Sequence, residues 1–143
     1  MITEDYVSFE IAKLLKEKGF DEYCFCINYP LPQGGHRNII MPNLLNNSVI
    51  PFTNEYKFCG YKEDFITIPT IQIVLKWLRE VHNIHIVIKN IIRTYGDTEY
   101  YYELYGTKNR SLCVVCDIYK EESWDSSEEA AEAAIKYCLE HLI

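Results

Sequence analysis

Six cysteines, four histidines and twelve tyrosines are the side chains here best suited to chemistry. Cys113-Val114-Val115-Cys116 has the C-x-x-C spacing of a zinc knuckle or a dithiol redox pair. The two valines favour a strand, however, and strand positions three apart point to opposite faces, so one ion cannot collect both thiols. A thioredoxin-type pair opens a helix, a different setting from this one. Cys24 and Cys26 would share a strand face, and Cys59 could join them. Cys24, Cys26, Cys59, Cys113 and Cys116 are thus the candidate metal ligands. Their competing role, small buried apolar side chains, fits the spacing better, so no metal or cofactor is expected. An even number of cysteines suggests disulfides only in an oxidising compartment, and reduced thiols are expected here.

His82 and His85 bracket a helix-to-strand corner, with His82 on an apolar stripe where a hydrogen-bonded, partly buried ring is expected. In Gly34-Gly35-His36-Arg37, backbone amides and a guanidinium could cradle an anion. His36 and Arg37 would then line a small-ligand or nucleotide pocket, with residues 30–69 as its lid. The chain has no Walker loop, dinucleotide fingerprint or G-x-S-x-G elbow. No isolated carboxylate pair suggests acid–base work, so no enzyme is expected. The tyrosines cluster: Tyr95, Tyr100, Tyr101, Tyr102 and Tyr105 fall in one hairpin. Tyrosine offers large contact area at low entropy cost and is enriched at protein interfaces, although cross-strand packing within the fold uses it equally well.

The elements that must position these groups follow from periodicity. Val7, Ile11, Leu14 and Leu15 predict a helix near 8–18, with Ser8 as N-cap and Gly19 as its left-handed stop. Tyr23–Tyr29 predicts a strand. All five prolines lie within residues 30–69, where Pro32–Asn38 is expected as a loop, with short strands near Asn38–Met41 and Tyr56–Tyr61. A hairpin is expected somewhere in the segment, since a long structureless loop is unusual in a compact domain. Ile71, Val74, Leu75, Leu78 and His82 predict a second helix that starts after Thr70 and stops at Asn83, and Ile73 and Trp77 widen its apolar face, so contacts on more than one side are expected. Ile84–Lys89, Tyr100–Tyr105 and Leu112–Ile118 predict three strands, joined by turns at Thr94–Asp97 and Gly106–Asn109. In the middle strand, Tyr100, Tyr102 and Leu104 point one way and Tyr101, Glu103 and Tyr105 the other. Ser126 and Glu129 have capping-box spacing ahead of a closing helix with Ala131, Ala134, Ile135, Cys138 and Leu142 on its apolar face. The order is α-β-(irregular)-α-β-β-β-α. The expected fold is one α+β domain over 1–143, an antiparallel meander of three or more strands packed on two or three helices. Residues 1–69 would hold the first helix, a strand and the irregular segment, and 70–143 the α-β-β-β-α unit.

Charge narrows the function classes. Over 143 residues, 14 lysines and arginines face 21 aspartates and glutamates, for a net charge of −7. The acidic excess runs through both halves. Nucleic-acid binding draws its affinity from basic side chains on phosphates, so a nucleic-acid partner is not expected. No apolar run approaches the ~20 residues of a membrane span. The acidic start, Met1 to Asp5, is unlike a secretory signal, which makes the cytoplasm the expected location.

Three blocks, Glu4–Glu22 (EDYVSFEIAKLLKEKGFDE), Pro69–Ile88 (PTIQIVLKWLREVHNIHIVI) and Glu128–Ile143 (EEAAEAAIKYCLEHLI), resemble short hypothetical proteins of phages and mobile elements in anaerobic gut bacteria. That group has an alanine before the Pro-Thr pair, where this chain has Ile68. The resemblance leaves 23–68 almost unmatched and implies a genetic context, with no chemistry attached. Separately, the α-β-β-β-α order of 70–142 and the alanine-rich closing helix resemble the double-stranded-RNA-binding domain. That family sets lysines at the start of the last helix against phosphates. Here Glu128, Glu129 and Glu132 stand there, and carboxylates repel phosphate. The family's histidine-bearing turn is also absent, its place taken by Thr94–Asp97. The expectation is a non-enzymatic accessory protein that binds another protein, a host factor or a second copy of itself. Its contact surface would be the tyrosine-bearing sheet (Tyr100, Tyr101, Tyr102, Tyr105) or the acidic helix start (Glu128, Glu129, Glu132). The alternatives are the small-ligand protein with residues 30–69 as lid and a degenerate RNA-binding-like domain.

Overall fold

The first helix, α1, forms at Phe9–Glu17, where the apolar stripe requires it. The Ser8 hydroxyl accepts the Ile11 N–H at 3.5 Å, and Gly19 takes a φ of 82° just past the Lys18 C-cap. The computed structural model describes residues 5–40, 51–54, 65–108, 111–114 and 122–143, with backbone alone at 107–108 and 111–114. The chain is α+β and divides into two compact units, Met1–Thr70 and Ile71–Ile143.

In the first unit, β1 (Cys26–Pro30) lies between β2 (His36–Ile40) and β3 (Ile66–Ile68), antiparallel to both. The hairpin expected within residues 30–69 is present, but its second strand begins at His36, inside the segment expected as a loop through Asn38. Leu31 N–H donates to the Gly35 carbonyl at 3.0 Å, and Gly34 and Gly35 reach φ of 89° and 90°. Two adjacent glycines let the chain reverse within the turn, so His36 already belongs to a strand. The strand expected at Tyr23 starts at Cys26, although Cys24 bridges Phe52. Met41 and Tyr56–Tyr61 lie outside the described residues. The buried core of this unit includes Ile11, Leu15, Phe20, Ile27, Phe52 and Ile68. Asn54 ties its connections: its amide donates to the Phe20 carbonyl at 2.7 Å, and its side-chain oxygen accepts the Thr67 N–H at 3.1 Å.

The second unit runs α2 (Ile71–His82), β4 (Ile84–Ile92), β5 (Thr98–Lys108), β6 (Ser111–Val114) and α3 (Ser127–His141), the expected helix, three-stranded antiparallel meander and helix. Both helices pack on β4, and α3 also packs on β5 and α2. Asn83, at φ 56°, makes the corner between α2 and β4. The Ser126 hydroxyl accepts the Glu129 N–H at 3.1 Å, so the cap of α3 is where spacing placed it. Both helix faces follow expectation with local shifts. α2 buries Ile71, Val74, Leu78 and Trp77 of its widened stripe and leaves Leu75 and His82 half-buried. α3 buries Ala131, Ala134, Ile135 and Cys138, with Leu139 added and Leu142 exposed. The expected turn at Gly106 is absent: β5 continues through Gly106, which pairs with Ile84 and Cys113. Residues 115–118 of the expected third strand lie outside the described residues. No described helix is long and apolar enough to cross a membrane.

Candidate functional site

Register decides which side chains of the β4–β5 hairpin share a face. His85, Val87, Lys89 and Ile91 pair with Tyr105, Glu103, Tyr101 and Glu99, so these eight stand together. The opposite face carries Ile84, Ile86, Ile88 and Leu104, with Ile84 and Leu104 buried, and is the face the helices cover. Along β4 the first face is solvent-exposed at every position from His85 to Ile91. It is the open face of the sheet along β4, while on β5 Glu103 is buried and Glu99, Tyr101 and Tyr105 are half-buried.

The tyrosine cluster therefore splits. Tyr101 and Tyr105 stand half-buried on the open face. Tyr100 and Tyr102 point the other way. Tyr100 exchanges two 2.9 Å backbone hydrogen bonds with Trp124, and the Tyr102 ring lies 5.3 Å from the Trp124 indole. The Tyr102 ring and the Tyr100 backbone thus serve the fold, and Tyr101 and Tyr105 stand on the other face.

A polar network stiffens the open face at its centre. Glu103 is 4% exposed, and its carboxylate accepts from Lys89 Nζ at 2.6 Å and from the Tyr105 hydroxyl. The Lys89 hydrogen bond, seconded by Tyr105, holds the Glu103 carboxyl below the usual carboxylate range. The same contacts raise the Lys89 ammonium and the Tyr105 phenol above their ordinary values. A carboxyl depressed on folding adds stability above its unfolded value near 4.5, and that stability is lost as pH falls through the folded one. The raised lysine adds stability present below its unfolded value of 10.5, lost as pH rises. Wild-type protein should accordingly lose melting temperature below pH 4.5 more steeply than a Glu103→Gln variant, and the difference should shrink with salt because Lys89 is half in water. Parallel pH–melting curves for the two proteins would contradict this.

The far end of the hairpin is apolar and exposed. Ile91, Ile92 and Tyr95 are 50%, 73% and 93% exposed. The Arg93 and Asp97 backbones close the turn, Gly96 takes φ 87°, and Arg93 Nη2 meets Glu99 Oε2 at 2.7 Å. The guanidinium holds the Glu99 carboxyl below its ordinary value. The tip is thus a tied β-turn presenting large side chains to water. Ile91 and Ile92 lie beyond the strand expected at Ile84–Lys89. For Ile91 the signal is in the sequence, since a strand covered on one face exposes every second residue. Ile92 has the other parity and is exposed beside the turn.

The remaining candidates separate widely. The Cys24 and Cys26 thiols are buried, and burial pushes Cys24 up to about 12 and raises Cys26, which disfavours the thiolate a metal or a disulfide exchange needs. Cys59 and Cys116 lie outside the described residues, as does the side chain of Cys113. Among the described residues, no three histidines, cysteines or carboxylates gather as a metal site. His36 and Arg37 are exposed on β2, His36 lying 5.1 Å from the Phe9 ring. His82 packs edge-on against Trp77 at 4.5 Å, while His85 is exposed on the open face. Glu128 and Glu129 are exposed in the first turn of α3, and Glu132 is half-buried one turn on. Ser127 donates to the Glu128 carboxylate at 2.8 Å and keeps its carboxyl ionised to lower pH.

Compared with protein-family models, curated proteins and solved structures, the chain matches none.

Proposed function

We propose that this chain is a non-enzymatic, cytoplasmic protein-binding module that meets its partner through the β4–β5 hairpin. The observation that carries this reading is the exposed end of the hairpin: Ile91, on the same face as Val87 and Tyr101, with Ile92 and Tyr95 exposed beside it at the turn. Large apolar side chains gathered on one projecting, hydrogen-bonded element are costly to leave in water, and a partner surface recovers that cost. The Lys89–Glu103–Tyr105 network and the Arg93–Glu99 pair hold the surface in one shape, which lowers the entropy lost on docking. The three blocks that resemble phage and mobile-element proteins support a host protein as the partner. The acidic start of α3 is the lesser surface, since carboxylates at a helix N-terminus already serve the helix dipole.

An Ile92→Asp, Tyr95→Ala double variant is the test. Each side chain buried on docking contributes about 1.5–3 kcal/mol, so the pair should weaken binding roughly a hundredfold or more. Both residues are exposed, so the melting temperature should stay within a degree or two of wild type. Wild-type bait should retain a protein from host lysate that the double variant loses. Identical capture by both baits would remove the hairpin from the function.

A further inference from the structure

A second surface lies on the far side of β4. Among the described residues β4 pairs only with β5, so it is an edge of the described sheet, and alternate N–H and C=O groups along it have no described strand beside them. Against that edge runs a groove of about 360 Å³. One wall is a single stripe of α2, Gln72, Leu75, Lys76 and Arg79, at i, i+3, i+4 and i+7. The other is three consecutive residues of β4: His85, Ile86 and Val87. Consecutive residues of a strand point to opposite faces, so a groove lined by all three lies along the strand's edge and exposes its backbone.

We infer that this groove takes an extended acidic peptide of a partner protein as an added strand beside β4. Three observations converge. The dimensions fit: the seven helical steps from Gln72 to Arg79 rise about 10 Å, the length of three extended residues, and the strand wall is three residues. The backbone of an edge strand beside a helix is the arrangement in which strand addition supplies affinity through main-chain hydrogen bonds. The charge fits as well. The chain carries a net charge of −7, yet Lys76 and Arg79 project into the groove, with His85 opposite. Among the described cations of this unit, Lys89 and Arg93 are taken by Glu103 and Glu99, whereas Lys76 and Arg79 pair with no carboxylate. A carboxylate-bearing strand is what completes them. Period-two geometry then sets the sequence the groove prefers. Residues turned toward α2 are acidic, and the one between them, turned toward Val87 on the open face, is apolar. The pattern is acidic-apolar-acidic. This surface shares Val87 with the open face but none of Ile91, Ile92 and Tyr95, and does not depend on that tip.

The probe is a fluorescein-labelled, acetylated Ser-Glu-Val-Glu-Ser peptide, titrated against the full chain by anisotropy. Saturable binding is expected. Lys76→Glu with Arg79→Glu should weaken it at least tenfold; both side chains are exposed, so the variant folds, as its melting curve will show. N-methylating one alternate set of peptide amides should abolish binding, and methylating the other set should leave it, because only one set faces β4. The hairpin variant Ile92→Asp, Tyr95→Ala should bind the peptide as wild type does, so this surface and the hairpin tip are judged separately. Four outcomes would overturn the inference: no binding by the intact chain, binding that survives charge reversal, equal response to both methylated peptides, or displacement of the peptide by a 20-base-pair RNA duplex.

Discussion

Replacing Leu104 with alanine should destabilise the second unit by about 3–4 kcal/mol, the middle of the range for a buried leucine. Leu104 sits in the middle of the central strand, opposite Ile86, and is 0% exposed. Its surroundings resist collapse. The helix packed on β5 buries Ala130, Ala131 and Ala134 alongside Ile135 and Leu139, and alanines have no length with which to refill the space. A cavity therefore persists, and the lost contacts add to the lost transfer free energy. Urea denaturation should show a lower midpoint at unchanged slope. Val87→Ala, one strand away on the open face, is the comparison: Val87 is 39% exposed, and its loss should stay within about 0.5 kcal/mol. A cost below 1 kcal/mol for Leu104→Ala would mean that α3 can settle onto the sheet.

What was legible in the sequence follows the range of the interactions involved. Ser8, Gly19, Ser126 and Glu129 act within three or four residues of themselves, and the caps and stops they predict are present. The meander was legible because Thr94–Asp97 is short and its flanks alternate. Less legible were choices made by a neighbouring element. Leu75 and Trp77 both lie near the α2 stripe, and nothing local says which the sheet will cover; Trp77, the larger, is buried, and Leu75 is left beside the groove. Gly106 looked like a turn because glycine usually is one, yet here it stands between Ile84 and Cys113 in mid-sheet. The β1–β3 pairing joins residues about forty apart, a register no local pattern encodes.

The site was legible in part for the same reason. Alternation alone separated Tyr101 and Tyr105 from Tyr100 and Tyr102, but which pair faces water depends on where α2 and α3 pack. The groove was invisible because Lys76 and Arg79 on a helix read as a solvated polar face. Only the closeness of β4's edge turns them into one wall of a site. Cationic residues in an acidic chain carry information when they are left unpaired, and pairing is a property of the fold.

Phe52→Ala should be the most damaging change in the first unit, at about 3–5 kcal/mol. Phe52 is 1% exposed, its ring meets Phe65 edge-on at 5.7 Å, and its backbone exchanges two 2.7 Å hydrogen bonds with Cys24. The backbone bridge survives the substitution while the ring's volume is vacated, so the loss falls on packing. Cys24 reports that loss directly. Burial keeps its thiol up near 12 and shields it from reagents, and a cavity beside it admits water, favours the thiolate and opens access. In native buffer, Phe52→Ala should therefore expose one additional thiol to a disulfide reagent within minutes, and that gain should vanish in the Phe52→Ala, Cys24→Ser double variant. An unchanged thiol reactivity together with an unchanged melting curve would show that the ring is not what seals this part of the core.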